Sequence, residues 1–243
     1  MNRAQAWGTG AILRNDFFVF GSFTTVQDLL PHELLGPLNA VERKHVPATL
    51  YIAGNPAFLR TGGRVSIVGA RKSSNEGLAR ARRFAGLLAE RRVVVVSGLA
   101  EGVDAAAHRS AIDRGGSTIA VIGTPLDRSY PKQNAELQAE IAARHLLISQ
   151  FPSGYSIKPA NFPMRNRTMA LVSDASVIIE ASETSGSLSE GWEVLRLGRP
   201  LFITKAMASD KKLKWPQKML GYGAQILSAE TIEDFFGSLP SRT

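Results

Sequence analysis

Five basic side chains sit in loops where they can hold an anion. Arg71 and Lys72 lie in "GARKSS" (69–74); Lys158, Arg165 and Arg167 lie in "PSGYSIKPANFPMRNR" (152–167). Arginine offers five N–H donors in a planar fork and lysine a compact charge, and both suit phosphate oxygens. The loops "SGLAEGVDAAAH" (97–108) and "SETSGS" (182–187) bring Gly and Ser up to helical patterns. Glycine lets the backbone approach a ligand, and free N–H groups at a helix start favour anions. Ser97, Gly98 and Gly186 therefore join the candidate set. Phe162, with Tyr130 and Tyr155, supplies flat surface on which bases stack, although Phe162 serves equally well as core.

Other chemistries have less support. "GARKSSNEG" is neither of the standard phosphate-loop fingerprints, which disfavours a nicotinamide dehydrogenase or a P-loop ATPase. His108 has no second histidine at metal-ligand spacing, and no GxSxG elbow anchors a hydrolase triad. Asp104 is expected to cap a helix and His108 to pack locally. No catalytic residue, metal or cofactor is expected. Arg80, Arg82, Arg83, Arg91 and Arg92 read as a solvated helix face, and Lys211, Lys212 and Lys214 as part of a polar connector.

What must position the basic loops is an alternation of strands and helices. Apolar, β-rich runs occur at 65–69, 93–97, 117–123, 145–151, 175–181 and 200–204, with a weak one in "AQILS". Runs apolar throughout suit parallel strands buried on both faces. Helical patterns separate them; one places Leu78, Ala81, Ala85 and Leu88 on one side, with a capping box expected at Ser73 and Glu76. The expected fold is α/β: an extended Rossmann-like, doubly wound, mostly parallel sheet with helices on both faces. In such sheets ligands collect at the carboxyl ends of the strands, which gathers the candidate loops on one edge. Residues 63–240 form this domain. Residues 1–62 read as a short irregular segment, helical through "TTVQDLLPHELLGPLNAVER" and a linker or edge element at "YIAGNPAFLRTGG".

Composition agrees with a nucleic-acid partner without requiring one. The 243 residues carry a net charge of +8 and contain no cysteine. There is no apolar run long enough to span a membrane and no secretory leader pattern, so a cytoplasmic location is expected.

Read together, "SIVGARKSS", "VVVSGLAEGVDAAAH", "GGSTIAVIGTPLDRSYPKQNAEL", "LLISQFPSG", "NFPMRNRTMALVSDASVIIEA" and "SGSL" resemble the DNA-processing protein A (DprA/Smf) family. The match stays in register from about residue 47 to 205. The resemblance implies sequence-tolerant binding of single-stranded DNA, a role in DNA uptake and recombination, transfer of the strand to a RecA-type recombinase, homodimers and no enzymatic activity. It implies that Arg71 contacts DNA, and Lys158 is the nearest match to a second such residue. It also implies a short form, lacking the C-terminal winged-helix-like module of many relatives. Where the family commonly has Thr and Ala after "SGSL" and one further residue, this chain has Glu190 and Gly191.

Two alternatives remain open. "SGSLSEGWE" (185–193) faintly resembles nucleotide phosphoribohydrolases, with Glu190 or Glu193 as the acid; a nucleotide sensor of the same superfamily is the other. Within "NFPMRNR", a helix starting near Met164 turns Arg165 and Arg167 to different sides. One is expected to meet phosphate with Arg71 while the other, with Asn166, satisfies buried loop carbonyls. The sequence leaves the assignment open, with Arg165 preferred as the DNA-facing residue.

Overall fold

The computed structural model describes residues 13–19, 22–60 and 62–240. Residues 1–12, 20, 21 and 61 of the expected N-terminal segment lie outside the described residues, as do 241–243. Two antiparallel strands, β1 (Leu13–Val19) and β2 (Ser22–Leu29), lead to α1 (Pro31–Leu35), α2 (Ala40–His45) and β3 (Leu50–Gly54). Regular alternation follows: β4 (Arg64–Gly69), α3 (Asn75–Glu90), β5 (Val94–Ser97), α4 (Val103–Asp113), β6 (Thr118–Ile122), α5 (Ala135–Arg144) and β7 (Leu146–Ser149). It continues through α6 (Asn161–Val172), β8 (Ala175–Glu180), α7 (Ser187–Arg196) and β9 (Leu201–Thr204). The end is α8 (Lys205–Ala208), α9 (Trp215–Gly221), β10 (Gln225–Leu227) and α10 (Ile232–Gly237).

All ten strands join one sheet in the order β1-β2-β3-β7-β6-β5-β4-β8-β9-β10. From β7 to β10 the pairings are parallel; β1, β2 and β3 add on antiparallel. The expected doubly wound, mostly parallel sheet is what forms. Because successive strand residues face opposite ways, Val65, Ile67, Ala175 and Val177 meet α3, α4 and α10 on one face. Val68, Val94, Val96, Ile178 and Ile203 meet α6, α7 and α9 on the other. The strand order reverses between β4 and β8, so the chains leaving their carboxyl ends turn to helices on opposite faces and leave a crevice there.

The N-terminal expectations need correction. "SFTTVQDL" is a strand, β2, rather than helix. "LYIAG" is β3, which pairs with β7 over Tyr51–Gly54 and carries the sheet onward, so the sheet has no break at residue 62. Phe23, Val26, Leu30 and Leu34 recur at helical spacing, and β2 is a strand because it pairs with β1 and β3, which local spacing does not encode. The cap of α3 is Ser74, whose Oγ accepts from Gly77 N at 3.0 Å, not Ser73. α6 starts at Asn161 rather than near Met164. Pro163 falls in its first turn, where the missing N–H costs no intrahelical bond.

One buried ion pair clamps the amino end of the sheet. Arg64, 5% exposed, donates from Nη2 to Asp174 Oδ1 at 2.9 Å and from Nη1 to the Leu59 carbonyl at 3.1 Å. Asp174 Oδ2 also takes the Arg64 backbone N–H at 2.9 Å. Asp174→Ala leaves a buried guanidinium uncompensated, so urea denaturation should show a loss of roughly 3–5 kcal/mol. An unchanged midpoint would show that the pair contributes nothing net.

Candidate nucleic-acid interface

The crevice between β4 and β8 opens into a cavity of about 780 Å³. Its walls come from the loop after β4 (Gly69–Lys72), the first turns of α6, the loop after β8 with the start of α7, and the segment after β9. Of the sequence candidates, Arg71, Lys72, Phe162, Arg165 and Gly186 line it. Gly98 lines a smaller cleft beside it, together with Arg71, Tyr130, Phe162 and Arg165. Ser97 is buried in the sheet, its Oγ donating to the Ile67 carbonyl at 2.6 Å, so it shapes the edge without reaching it. Lys158 is exposed on its loop and does not line the cavity.

Arg71 and Lys72 are exposed, and among the described residues neither has an ion-pair partner. The Arg71 guanidinium stands 5.4 Å from the centre of the Phe162 ring, which lies 5.3 Å from the ring of Tyr130. Tyr130 is 45% exposed. The Arg71 loop is pressed against the loop before α4. Gly102 has φ +75°, and a Cβ there would stand 2.4 Å from the carbonyls of Ala70 and Arg71.

The two arginines of "NFPMRNR" do separate: Arg165 lines the cavity, as preferred, and Arg167 does not. Arg165 is 6% exposed and donates from Nη1 to the Val121 carbonyl at 3.0 Å, so it lies in the cavity floor as a brace. Burial pushes its pKa down, and the nearby Asp104 charge opposes that. Asp104 is buried too and accepts from Ala100 N at 3.3 Å. Burial raises its pKa while Arg165 pulls it back. Asp104 is thus the second residue of α4 and a counter-charge for Arg165, rather than the helix cap, which is Gly102. Arg167 points away from the cavity onto Glu193 at 3.4 Å. Asn166 braces as expected: its Nδ2 donates to the Gly186 carbonyl at 3.2 Å and to Ser189 Oγ at 2.6 Å. His108 packs locally, with Nδ1 2.7 Å from Thr118 Oγ1.

Several liners were not among the individual candidates, though three of the serines lie in the candidate loop "SETSGS". Ser182, Ser185, Ser187 and Ser189 form a hydroxyl rim. Met207, Asp210 and Leu213 come from the stretch read as a polar connector, which folds back as α8 and a turn. Its place after β9, beside the switch point, was the usable clue. Glu180, at the end of β8, accepts from Ser73 Oγ at 2.9 Å, Ser74 N at 2.7 Å and Ser74 Oγ at 2.6 Å. Arg80 joins it at 3.1 Å, so that residue is not part of a solvated face. Burial would raise the Glu180 carboxyl, but the Ser74 and Ser73 bonds and the Arg80 charge outweigh it and hold the group below its usual range. Glu180 and Asp104 are therefore committed to internal partners and Asp210 takes the Lys212 N–H at 2.9 Å, while Arg71 and Lys72 have no ion-pair partner among the described residues. Glu190 and Glu193 do not line it. Among the described residues no cluster of three or more His, Cys, Asp or Glu could hold a metal, and no helix is long and apolar enough to cross a membrane.

Fold and site together define a doubly wound, Rossmann-like protein with a cavity at its topological switch point, edged by the cations Arg71 and Lys72. Residues 29–239 match the profile of DNA recombination-mediator protein A, and the chain belongs to that family. It is 34% identical over 219 residues to the DNA processing protein DprA of Streptococcus pneumoniae, covering 90% of this chain and 75% of that one. It is 32% identical over 196 residues to the DprA of Bacillus subtilis, covering 81% and 65%. Against protein Smf of Escherichia coli the identity is 32%, and the chain spans about half of that protein, 49%. The X-ray structure of the S. pneumoniae protein superposes with a TM-score of 0.74 at 30% identity, covering 88% of this chain and 74% of that one. A structure described as showing the single-stranded DNA binding mode of DNA processing protein A from Helicobacter pylori gives 0.74 at 27%, covering 88% and 94%. A molybdenum cofactor binding protein from Rippkaea orientalis, 18% identical with a TM-score of 0.54 over 73% of this chain and 96% of that one, shares the fold alone.

Two outcomes follow. A Cβ on Gly98 would stand 1.4 Å from Arg165 Nη1, so Gly98→Ala must displace the buried guanidinium. Thermal unfolding should register a loss of roughly 2–4 kcal/mol; an unchanged melting temperature would mean Arg165 is not held there. Burial raises the Glu190 carboxyl from 4.5 to about 7. A raised folded-state pKa gives stability that is complete below the unfolded value and is lost as pH rises through the folded one. Glu190→Gln should therefore gain on the parent between about pH 4.5 and pH 7, by roughly 2–3 kcal/mol. Parallel stability curves for the two proteins would refute that.

Proposed function

We propose that this protein binds single-stranded DNA with little sequence preference, holding phosphates at Arg71 and Lys72 and a base against Phe162 and Tyr130. One observation carries this: two unpaired cations open onto the cavity at the switch point, with Arg71 5.4 Å from the Phe162 ring and that ring 5.3 Å from Tyr130. Phosphate contacts position a strand without reading it, and every base has a face to stack, so such a site tolerates sequence. The helix starts and hydroxyls of the 182–189 rim extend the same anion-binding character. Lys158, on the exposed loop before α6, extends the track, while Arg165, Asn166, Gly98 and Ser97 shape its floor. Kinship with the DNA processing proteins supports this reading, and so does the single-stranded DNA mode described for the H. pylori relative.

The wider role is read the same way. The protein acts in DNA processing and recombination as a mediator that passes the strand to a RecA-type recombinase, working as a homodimer in the cytoplasm without catalysing a reaction of its own.

Titration with labelled oligo-dT should show binding whose log affinity falls linearly with log salt, by about 0.7 per phosphate contact. Arg71→Ala should weaken every oligonucleotide by about tenfold and flatten the slope by about 0.7. Mononucleotides should compete poorly. No binding at low salt would remove the proposal, and an unchanged Arg71→Ala affinity would remove that residue from it.

A further inference from the structure

Glu190 has no part in the DNA contacts described above, yet it is buried at a position where this chain departs from the pattern it otherwise matches. α7 lies over the sheet face onto which Ser66 and Ser176 project. These serines are register partners in β4 and β8, and both are fully buried. Their neighbours on that face, such as Val68, Ile178 and Ile203, are apolar. Glu190, 0% exposed, sits on this serine pair. Ser176 Oγ donates to its Oε1 at 2.8 Å. Its Oε2 has no partner, and neither has Ser66 Oγ, which approaches the same carboxyl. Arg165 Nε, from α6, is also buried without a partner. Asp104, from α4, interacts with both Arg165 and Glu190, and Arg71 adds positive charge toward Arg165. No histidine lines the cavity, and burial drives His108 on α4 down to about 3, so it stays neutral.

A hydroxyl rotates, so Ser66 can accept from a protonated Glu190 or donate to an ionised one. The seat therefore tolerates both states, and charge is what distinguishes them. Asp104 and Arg165 act on one another with opposite charge. Ionising Glu190 adds a negative charge beneath the cavity, in a poorly screened interior. Gly186 and Ser189, beside Glu190 at the start of α7, form the cavity wall.

We infer that Glu190 is a proton-binding positioning residue of this cavity: phosphate is held more tightly when Glu190 is protonated, and binding takes up a proton. This rests on the cavity being the DNA site. Burial brings the carboxyl to about 7, within reach of ordinary conditions. Affinity is then highest below that value and falls as pH rises through it.

The test is oligo-dT binding at fixed salt from about pH 6 to about pH 8.5, with calorimetry near pH 7 in two buffers of different ionisation enthalpy. The parent should lose roughly three- to tenfold in affinity across the range and take up a fraction of a proton on binding. Glu190→Gln should bind at about pH 8.5 as tightly as the parent does at about pH 6, with no pH dependence. Glu190→Thr, neutral and smaller, should behave alike and serves if the glutamine variant fails to fold. Equal parent affinity at both ends with no proton uptake overturns the inference and leaves DNA binding standing. So does a folded variant that keeps the parent's pH profile. Absence of binding even at the lower pH overturns both.

Discussion

Arg165 has to be buried and charged at once, and the loops around the cavity are arranged to permit it. Taking a guanidinium out of water costs several kcal/mol unless a counter-charge and hydrogen bonds replace the solvent. Asp104 supplies the charge and the Val121 carbonyl a bond. The guanidinium lies so close to the backbone at position 98 that no side chain fits there. One step along α6, Asn166 ties down Gly186 and Ser189. The first turns of α6 thus anchor the ends of β5 and β6 and the loop after β8. If that charge were displaced, the cavity floor and two of its walls would lose their common support.

The cationic character of the cavity's rim follows from what is left over. Two acids at the edge are engaged internally, Glu180 with the start of α3 and Asp104 with Arg165. Arg71 and Lys72, at the open rim, have nothing to neutralise them within the described residues. The same economy appears far from the site. Arg199 caps the end of α6 through the carbonyls of Ala170 and Leu171, each at 2.7 Å, and reaches Glu42 of α2 at 2.6 Å. That pair ties the N-terminal helices to the helix that carries the site.

The parallel strands β4 to β9 were legible because they are buried on both faces and are mostly apolar, as in "VVVV" at 93–96, whereas β10 is largely exposed and reads weakly. Their order of appearance placed the basic loops on one edge, since ligand edges of doubly wound sheets are set by connectivity. β2 was not legible: its pairing with β3 rests on partners that local pattern does not encode. Spacing separated Arg165 from Arg167 but did not show that Arg165 is buried. Its burial depends on Asp104, some sixty residues earlier in the chain and itself buried by the packing of α4. Arg80 looked solvated because a helical wheel does not know that Glu180 ends the neighbouring strand. Met207 and Leu213 looked like connector for the same kind of reason.

By itself, the sequence determined the class of fold, the edge that carries the cavity and the family, because hydrophobic period and loop motifs are local properties that survive without coordinates. Tertiary structure decided which charges are free and which are cancelled. Glu190 shows why: next to "SGSL" in the chain it is one more acid, yet in the fold it rests on Ser66 and Ser176 from strands separated by over a hundred residues. Whether a carboxyl ionises depends on solvent and neighbouring charge in three dimensions, and neither is a property of the chain near it.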